Sequence, residues 1–163
     1  MKKILLISDT HGYIDEKIIK YANKVDEIWH AGDIGDISVT DKLKQIKPLK
    51  GVYGNIDDQK IRAEFPLHNR FICEKVSVWI THIGGYPKRY NPKILEELKS
   101  NPPDLFICGH SHILKVINDK ELDLLHMNPG AIGKYGLHRV RTMIQFEING
   151  KKIENLSVIE FKR

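Results

Sequence analysis

The chain has 163 residues, 41% of them hydrophobic and 29% charged, a balance that fits a soluble globular domain and excludes a low-complexity or disordered polymer. No apolar run approaches the ~20 residues needed to cross a bilayer, and Cys73 and Cys108 stand outside any redox or zinc spacing. The net charge of +5 comes partly from a Lys/Arg-rich C-terminal end without interleaved aromatic residues, so it favours an anionic small substrate only weakly and gives no case for a nucleic-acid polymer.

Met1-Lys2-Lys3 opens onto only four apolar residues, Ile4 to Ile7, too few for a secretory signal; a cytoplasmic, reducing location is the expectation. That run reads as a first strand. Ile14, Ile18, Ile19 and Ala22 then recur at helical spacing and predict a helix over 15–23. Ile28 to Ala31 reads as a second strand, Ser38 as the cap of a short helix that carries Val39, Leu43 and Ile46 and ends before Pro48, and Gly51 to Tyr53 as a third strand. Phe71 to Thr81 gives two β-rich stretches broken at Glu74-Lys75, and Asn91-Pro92 caps and opens a helix running through Lys99. Leu105 to Cys108 is again strand-like. Beyond it the pattern is mostly strand, with a turn at Asp119-Lys120 and a hairpin signal at Asn149-Gly150. The order βαβαβ followed by antiparallel strands predicts an α/β fold, a two-sheet β-sandwich flanked by helices, built as one domain over 1–163.

Five motifs follow these apolar runs: SDTH (Ser8 to His11), AGDIGD (Ala31 to Asp36), YGNID (Tyr53 to Asp57), THIGG (Thr81 to Gly85) and GHSH (Gly109 to His112). If the runs pair into sheets, their C-terminal ends bring seven metal-ligand types to one edge: Asp9, His11, Asp33, Asn55, His82, His110 and His112. Carboxylate, amide and imidazole donors without thiolate suit Mn²⁺, Fe²⁺, Ni²⁺ or Zn²⁺. Seven groups exceed what one such ion needs and fit two ions sharing a carboxylate, for which Asp33, midway in the set, is the natural bridge.

Singly, each motif has a plainer reading, with Asp9 as a cap, Asn55 as a turn residue and His110 as a surface imidazole. Their co-occurrence is what points to metal. Asp36 and Asp57 are balanced between supporting a ligand and lying exposed in loops. His30, His68 and His126 read as structural or surface residues. His138 and Arg139 follow a Gly-rich segment, Gly130 to Gly136, that is either an ordinary connector or a means of placing them near a phosphate.

In order, DxH, GD, GN, H and GHxH resemble the calcineurin-like metallophosphoesterase superfamily over about Met1 to His138, and within it the YfcE-type small phosphodiesterase branch. The resemblance implies one ion on Asp9, His11, Asp33 and His112, and another on Asp33, Asn55, His82 and His110. It implies in-line hydrolysis of a small phosphodiester by a hydroxide held between two divalent ions, Mn²⁺ foremost, with Asp33, Asn55 and His82 as the catalytic group. Three departures stand out. Ile56 occupies a position where many members carry a His that assists the leaving oxygen, so aryl leaving groups are favoured. Gly84 stands where the branch has a second imidazole, and Asn128, Pro129 and Gly130 are not followed by the family's Pro-Arg. The alternative is a non-catalytic protein-binding scaffold like the retromer subunit of this fold. A nuclease is disfavoured by Ile56 and by the lack of a capping domain. Short apolar surface segments allow a homo-oligomer.

Overall fold

The computed structural model describes residues 1–163. Its elements, in chain order, are β1 (Lys2–Ile7), α1 (Glu16–Ala22), β2 (Glu27–His30), α2 (Ile37–Lys44), β3 (Leu49–Gly51), α3 (Gln59–Glu64), β4 (His68–Cys73), β5 (Val76–Thr81), β6 (Gly85–Tyr86), β7 (Arg89–Tyr90), α4 (Pro92–Ser100), β8 (Leu105–Ile107), β9 (Leu114–Asp119), β10 (Leu124–Pro129), β11 (Val140–Asn149) and β12 (Lys152–Lys162). They form one five-stranded sheet in the order β12-β11-β1-β2-β3, a second in the order β4-β5-β8-β10-β9, and a small β6-β7 hairpin. β1, β2 and β3 run parallel, as do β5, β8 and β10, so both groups end at the same edge.

Because both faces of these central strands are covered, they read as continuous apolar runs. In β1, Ile4 and Leu6 point into the space between the sheets, where they meet Trp29, Val78, Ile80, Ile107 and Phe146. Leu5 and Ile7 point outward, against Ile18 of α1, Val39 and Leu43 of α2 and Ile61 of α3. On the far side, Trp79 and Phe106 take Ile94 and Leu98 of α4. The result is a helix, sheet, sheet, helix stack, the sandwich expected from sequence. No helix is long and apolar enough to cross a membrane.

All four helices open on an Asp or Asn whose side chain accepts a backbone N–H, satisfying one of the donors a helix start leaves free: Asp15, Asp36, Asp58 and Asn91. For α2 this corrects the expected Ser38 cap. Asp36 is extended (φ −146°) and receives the Ser38 N–H, so the helix begins one residue before Ser38. The third strand also lies earlier than expected, since Leu49, Lys50 and Gly51 pair with Ile28, Trp29 and His30 immediately after Pro48. The hairpin at Asn149-Gly150 and the break at Glu74-Lys75 are where the sequence put them.

One buried acid anchors the edge of the first sheet. Glu27 accepts from the indole N–H of the fully buried Trp29 (3.0 Å) and from Lys50 Nζ (2.8 Å). Burial alone would raise its carboxyl, but the Lys50 and Trp29 hydrogen bonds outweigh this and hold it below the ordinary range. Glu27→Ala should therefore cost about 2 kcal/mol in urea unfolding at neutral pH, because the indole N–H is left without a partner. The depressed folded pKa means this stabilisation is complete above the unfolded glutamate value and fades as pH falls toward the folded one. An unchanged midpoint at pH 7 would rule the anchor out.

Candidate functional site

Each of the seven donors sits just past a strand end. Asp9 and His11 follow β1, Asp33 follows β2, Asn55 follows β3, His82 follows β5, and His110 and His112 follow β8. The loops are stitched edge to edge by Asp9 N–H to Gly32 O (2.9 Å), His11 N–H to Asp33 O (3.0 Å) and Gly109 N–H to His82 O (3.0 Å). To turn their side chains inward at once, Asp9, His11, Asp33, His110 and His112 all take left-handed backbone, with φ of 55°, 46°, 53°, 71° and 60°. Asp and His tolerate that region better than most residues. The glycines before Asn55 and His110 have a separate cause, close approach. A Cβ on Gly54 would fall on the Asp33 carboxylate and backbone N, and one on Gly109 on the Ser8 hydroxyl.

The donors converge as two clusters, Asp9, His11 and His112, and Asp33, His82 and His110, with the ligand atoms of each within 4.8 Å of one another. Asn55 joins the second, its Oδ1 3.0 Å from His110 Nδ1. Asp33 Oδ2 lies between the clusters, 3.4 Å from His11 Nε2 and 3.2 Å from His82 Nε2. All seven residues expected from sequence are thus brought together, and Asp33 occupies the midpoint.

Neighbouring groups decide which atoms stay free. Ser8 Oγ (2.6 Å) and the His110 N–H (3.1 Å) both donate to Asp9 Oδ2, leaving Oδ1 bare. His82 Nδ1 is 2.7 Å from the Ala31 carbonyl, which only accepts, so Nδ1 carries a proton and Nε2 is the nitrogen turned to the carboxylates. Asp9 Oδ1, His11 Nε2 and His82 Nε2 are buried and have no hydrogen-bond partner. Burial alone would raise the Asp9 carboxyl, but the facing His11, His112 and His82 and the Ser8 hydroxyl drive it far below the usual range. Asp33 is held low against its own burial chiefly by His82, and His82, whose burial opposes protonation, is raised by Asp33 and Asp9. Carboxylate oxygens and imidazole nitrogens that face one another at 3.2 to 3.8 Å, with Asp9 Oδ1, His11 Nε2 and His82 Nε2 making no hydrogen bond, suit a cation.

Asp57, evenly balanced in the sequence, is a buried strut. It accepts the N–H groups of Ile34 (3.1 Å), Gly35 (2.8 Å) and Gly54 (2.7 Å), tying the loop that carries Asp33 to the loop that carries Asn55. Asp36 only caps α2. His30 is structural, accepting from Gly32 N–H at Nδ1 (3.1 Å) and meeting Thr10 Oγ1 at Nε2 (3.0 Å), and burial lowers it to about 4. His138 lies against the His112 ring (5.2 Å) and its Nε2 donates to Gly133 O (2.8 Å), whereas Arg139 is exposed. Tyr135 stacks over His11 at 4.9 Å, a contact with no signal in the sequence.

A two-sheet α/β sandwich with paired carboxylate–imidazole clusters at one strand edge defines the metallophosphoesterase class. Residues 1–151 match the calcineurin-like phosphoesterase superfamily domain, and the chain belongs to that family of metal-dependent phosphoester hydrolases. A probable metallophosphoesterase of Methanocaldococcus jannaschii is 31% identical over 134 residues, covering 77% of this chain and 66% of that protein's length. Among solved structures, an archaeal phosphodiesterase is similar with TM-score 0.76 and 23% identity, covering 96% of this chain and 99% of that one. Vps29 of Chaetomium thermophilum is similar with TM-score 0.77 and 19% identity, over 99% and 97%. At these identities the two structures speak for the fold.

Asp57→Ala should destabilise by about 3 kcal/mol, since three loop N–H groups lose a charged acceptor. Hydrogen exchange should show the Ile34, Gly35 and Gly54 amides losing protection first; uniform loss across the chain would mean that the carboxylate is no local strut.

Proposed function

We propose that residues 1–163 form a single metallophosphoesterase domain acting as a binuclear metal-dependent phosphodiesterase on small phosphodiesters. Asp9, His11, Asp33 and His112 would hold one ion, and Asp33, Asn55, His82 and His110 the other. The observation that carries this reading is the set of buried, unpartnered donor atoms on Asp9, His11 and His82. Two divalent ions, Mn²⁺ foremost, would supply a water of lowered pKa and positive charge for the phosphoryl oxygens.

The chain's own groups do the positioning. The Ala31 carbonyl fixes the His82 tautomer, Asp57 sets the spacing of the Asp33 and Asn55 loops, and Tyr135 shields one side of His11. A cleft of about 340 Å³ beside Asn55 and His82 presents Arg62 and Lys93 to an anionic substrate. Ile56 has no proton to give, so the leaving alcohol departs best when it is already acidic. Both cysteines are free and buried, in keeping with a reducing compartment.

One observation favours a second reading, a protein-binding scaffold. Ile56, Ile83 and Ile113 each follow a donor residue directly, and all are exposed (48%, 40% and 55%), giving the mouth an apolar rim.

Mn²⁺ should drive release of 4-nitrophenolate from bis(4-nitrophenyl) phosphate, and Asp33→Asn should cut kcat/KM by about 100-fold or more. Without metal, Asp33→Asn should be no more stable than wild type at neutral pH, because His82 and the Ile56 N–H favour the ionised carboxylate in the fold. Saturating Mn²⁺ should stabilise the wild type by about 2.7 kcal/mol at 100 times Kd and the variant far less. Failure of Mn²⁺, Fe²⁺, Ni²⁺ and Zn²⁺ alike to support turnover would transfer the case to the scaffold.

A further inference from the structure

A second cleft, of about 380 Å³, shares Ile83 and Asn91 with the first and reaches the same donor cluster at His110. Its walls come from the β6-β7 hairpin, the start of α4, the segment after β8, and strands β9 and β10. None of the proposed hydrolytic machinery apart from His110 lies in it.

Three features of this cleft point to a ligand. Its lining contains no Asp or Glu but includes Arg89 and Lys115, and Lys115 Nζ stands 3.7 Å from the centre of the Tyr86 ring. Asp119, behind Tyr90 of the wall, is already occupied by the Tyr90 hydroxyl (2.6 Å) and the Glu121 (3.0 Å) and Leu122 (3.2 Å) N–H groups. His126, fully buried in β10 between Tyr90 and Phe106, lines the cleft with neither ring nitrogen hydrogen bonded. Burial holds it neutral, at about 4, so the wall of the cleft contains an uncharged imidazole with an unused N–H and an unused lone pair. Ser111 adds a hydroxyl at the mouth beside His110.

A phosphodiester has two ester arms, and two clefts diverge from one donor cluster. We propose that the cleft walled by Tyr86, Arg89, Lys115 and His126 is a subsite for one ester arm, and that this arm ends in an anionic group, a carboxylate or a further phosphate. The inference rests on the phosphodiesterase reading for its second arm. The charge of the cleft is independent of that reading.

The test compares three 4-nitrophenyl alkyl phosphodiesters whose alkyl arm ends in a carboxylate, a carboxamide or a trimethylammonium group, with the Mn²⁺-loaded full chain. The carboxylate arm should exceed the trimethylammonium arm in kcat/KM by about ten-fold or more, through KM. Arg89→Ala and Lys115→Ala should each shrink that ratio, and a phosphate-ended arm shows whether the added charge is used. Equal kcat/KM for all arms, or preference for the cationic one, overturns the subsite while leaving a working phosphodiesterase. If no ester turns over, the hydrolase reading fails instead, and calorimetry with the corresponding methyl esters decides the cleft. Tighter binding of the carboxylate ester than of the carboxamide, lost in Lys115→Ala, supports it, and equal binding overturns it.

Discussion

The Asp9 carboxylate is the group on which the arrangement of the two sheets at the active edge depends. It leaves the first sheet at the end of β1, is completely buried, and receives through Oδ2 the N–H of His110 from the second sheet. Placing a charge there is unfavourable unless it is compensated. Asp33 adds a second nearly buried carboxylate, so the edge concentrates negative charge where the apolar layers meet. Five of the donors also hold left-handed backbone. At about 1 kcal/mol or more each, that strain is a sizeable part of a domain's ~5–15 kcal/mol net stability. Local preference does not impose such a conformation. The inter-sheet core around Ile4, Leu6, Trp29 and Ile107, and the helix-covered face around Leu5 and Ile7, supply what holds it.

Much of this was legible because the donors follow strands with long apolar signals. Runs such as Ile4 to Ile7 and Val76 to Ile80 are buried on both faces, so their hydrophobic pattern is strong and their ends are sharp, and a ligand one or two residues beyond is placed almost automatically. The third strand was displaced because only Gly51 is shared between the apolar run and the three residues that pair, and Leu49 and Lys50 are half-buried edge positions. α3 and the β6-β7 hairpin, six residues and two residues per strand, are too short to show a period.

What the sequence could not convey was which polar groups act through others. Asp57 and Asp36 look alike in a string of letters, each an Asp in a Gly-containing loop. One buries its oxygens under three N–H groups from two loops, and the other caps a helix in solvent. His126 is the sharper case. Alone, a histidine in a strand reads as structural, and only its burial without partners beside an acid-free cleft separates it from His30, whose two nitrogens are both engaged.

The apolar rim and the orphaned donors make opposite demands, and their magnitudes can be weighed. Exposed isoleucines cost little in a monomer and suit either a protein partner or an aryl ester arm. Buried donors left without partners cost about 1–3 kcal/mol each, more when charged. A scaffold could rid itself of that cost by replacing Asp9, His11 and His82 with apolar residues of similar volume, since a well-packed apolar group is often as good as a buried ionic one. A protein that instead surrounds these atoms with Ser8, Ala31 and the His110 N–H, so that of Asp9 and His82 only Oδ1 and Nε2 remain bare, keeps a donor set that suits a cation. Protein binding at the rim would then sit on top of a metal centre rather than in place of one.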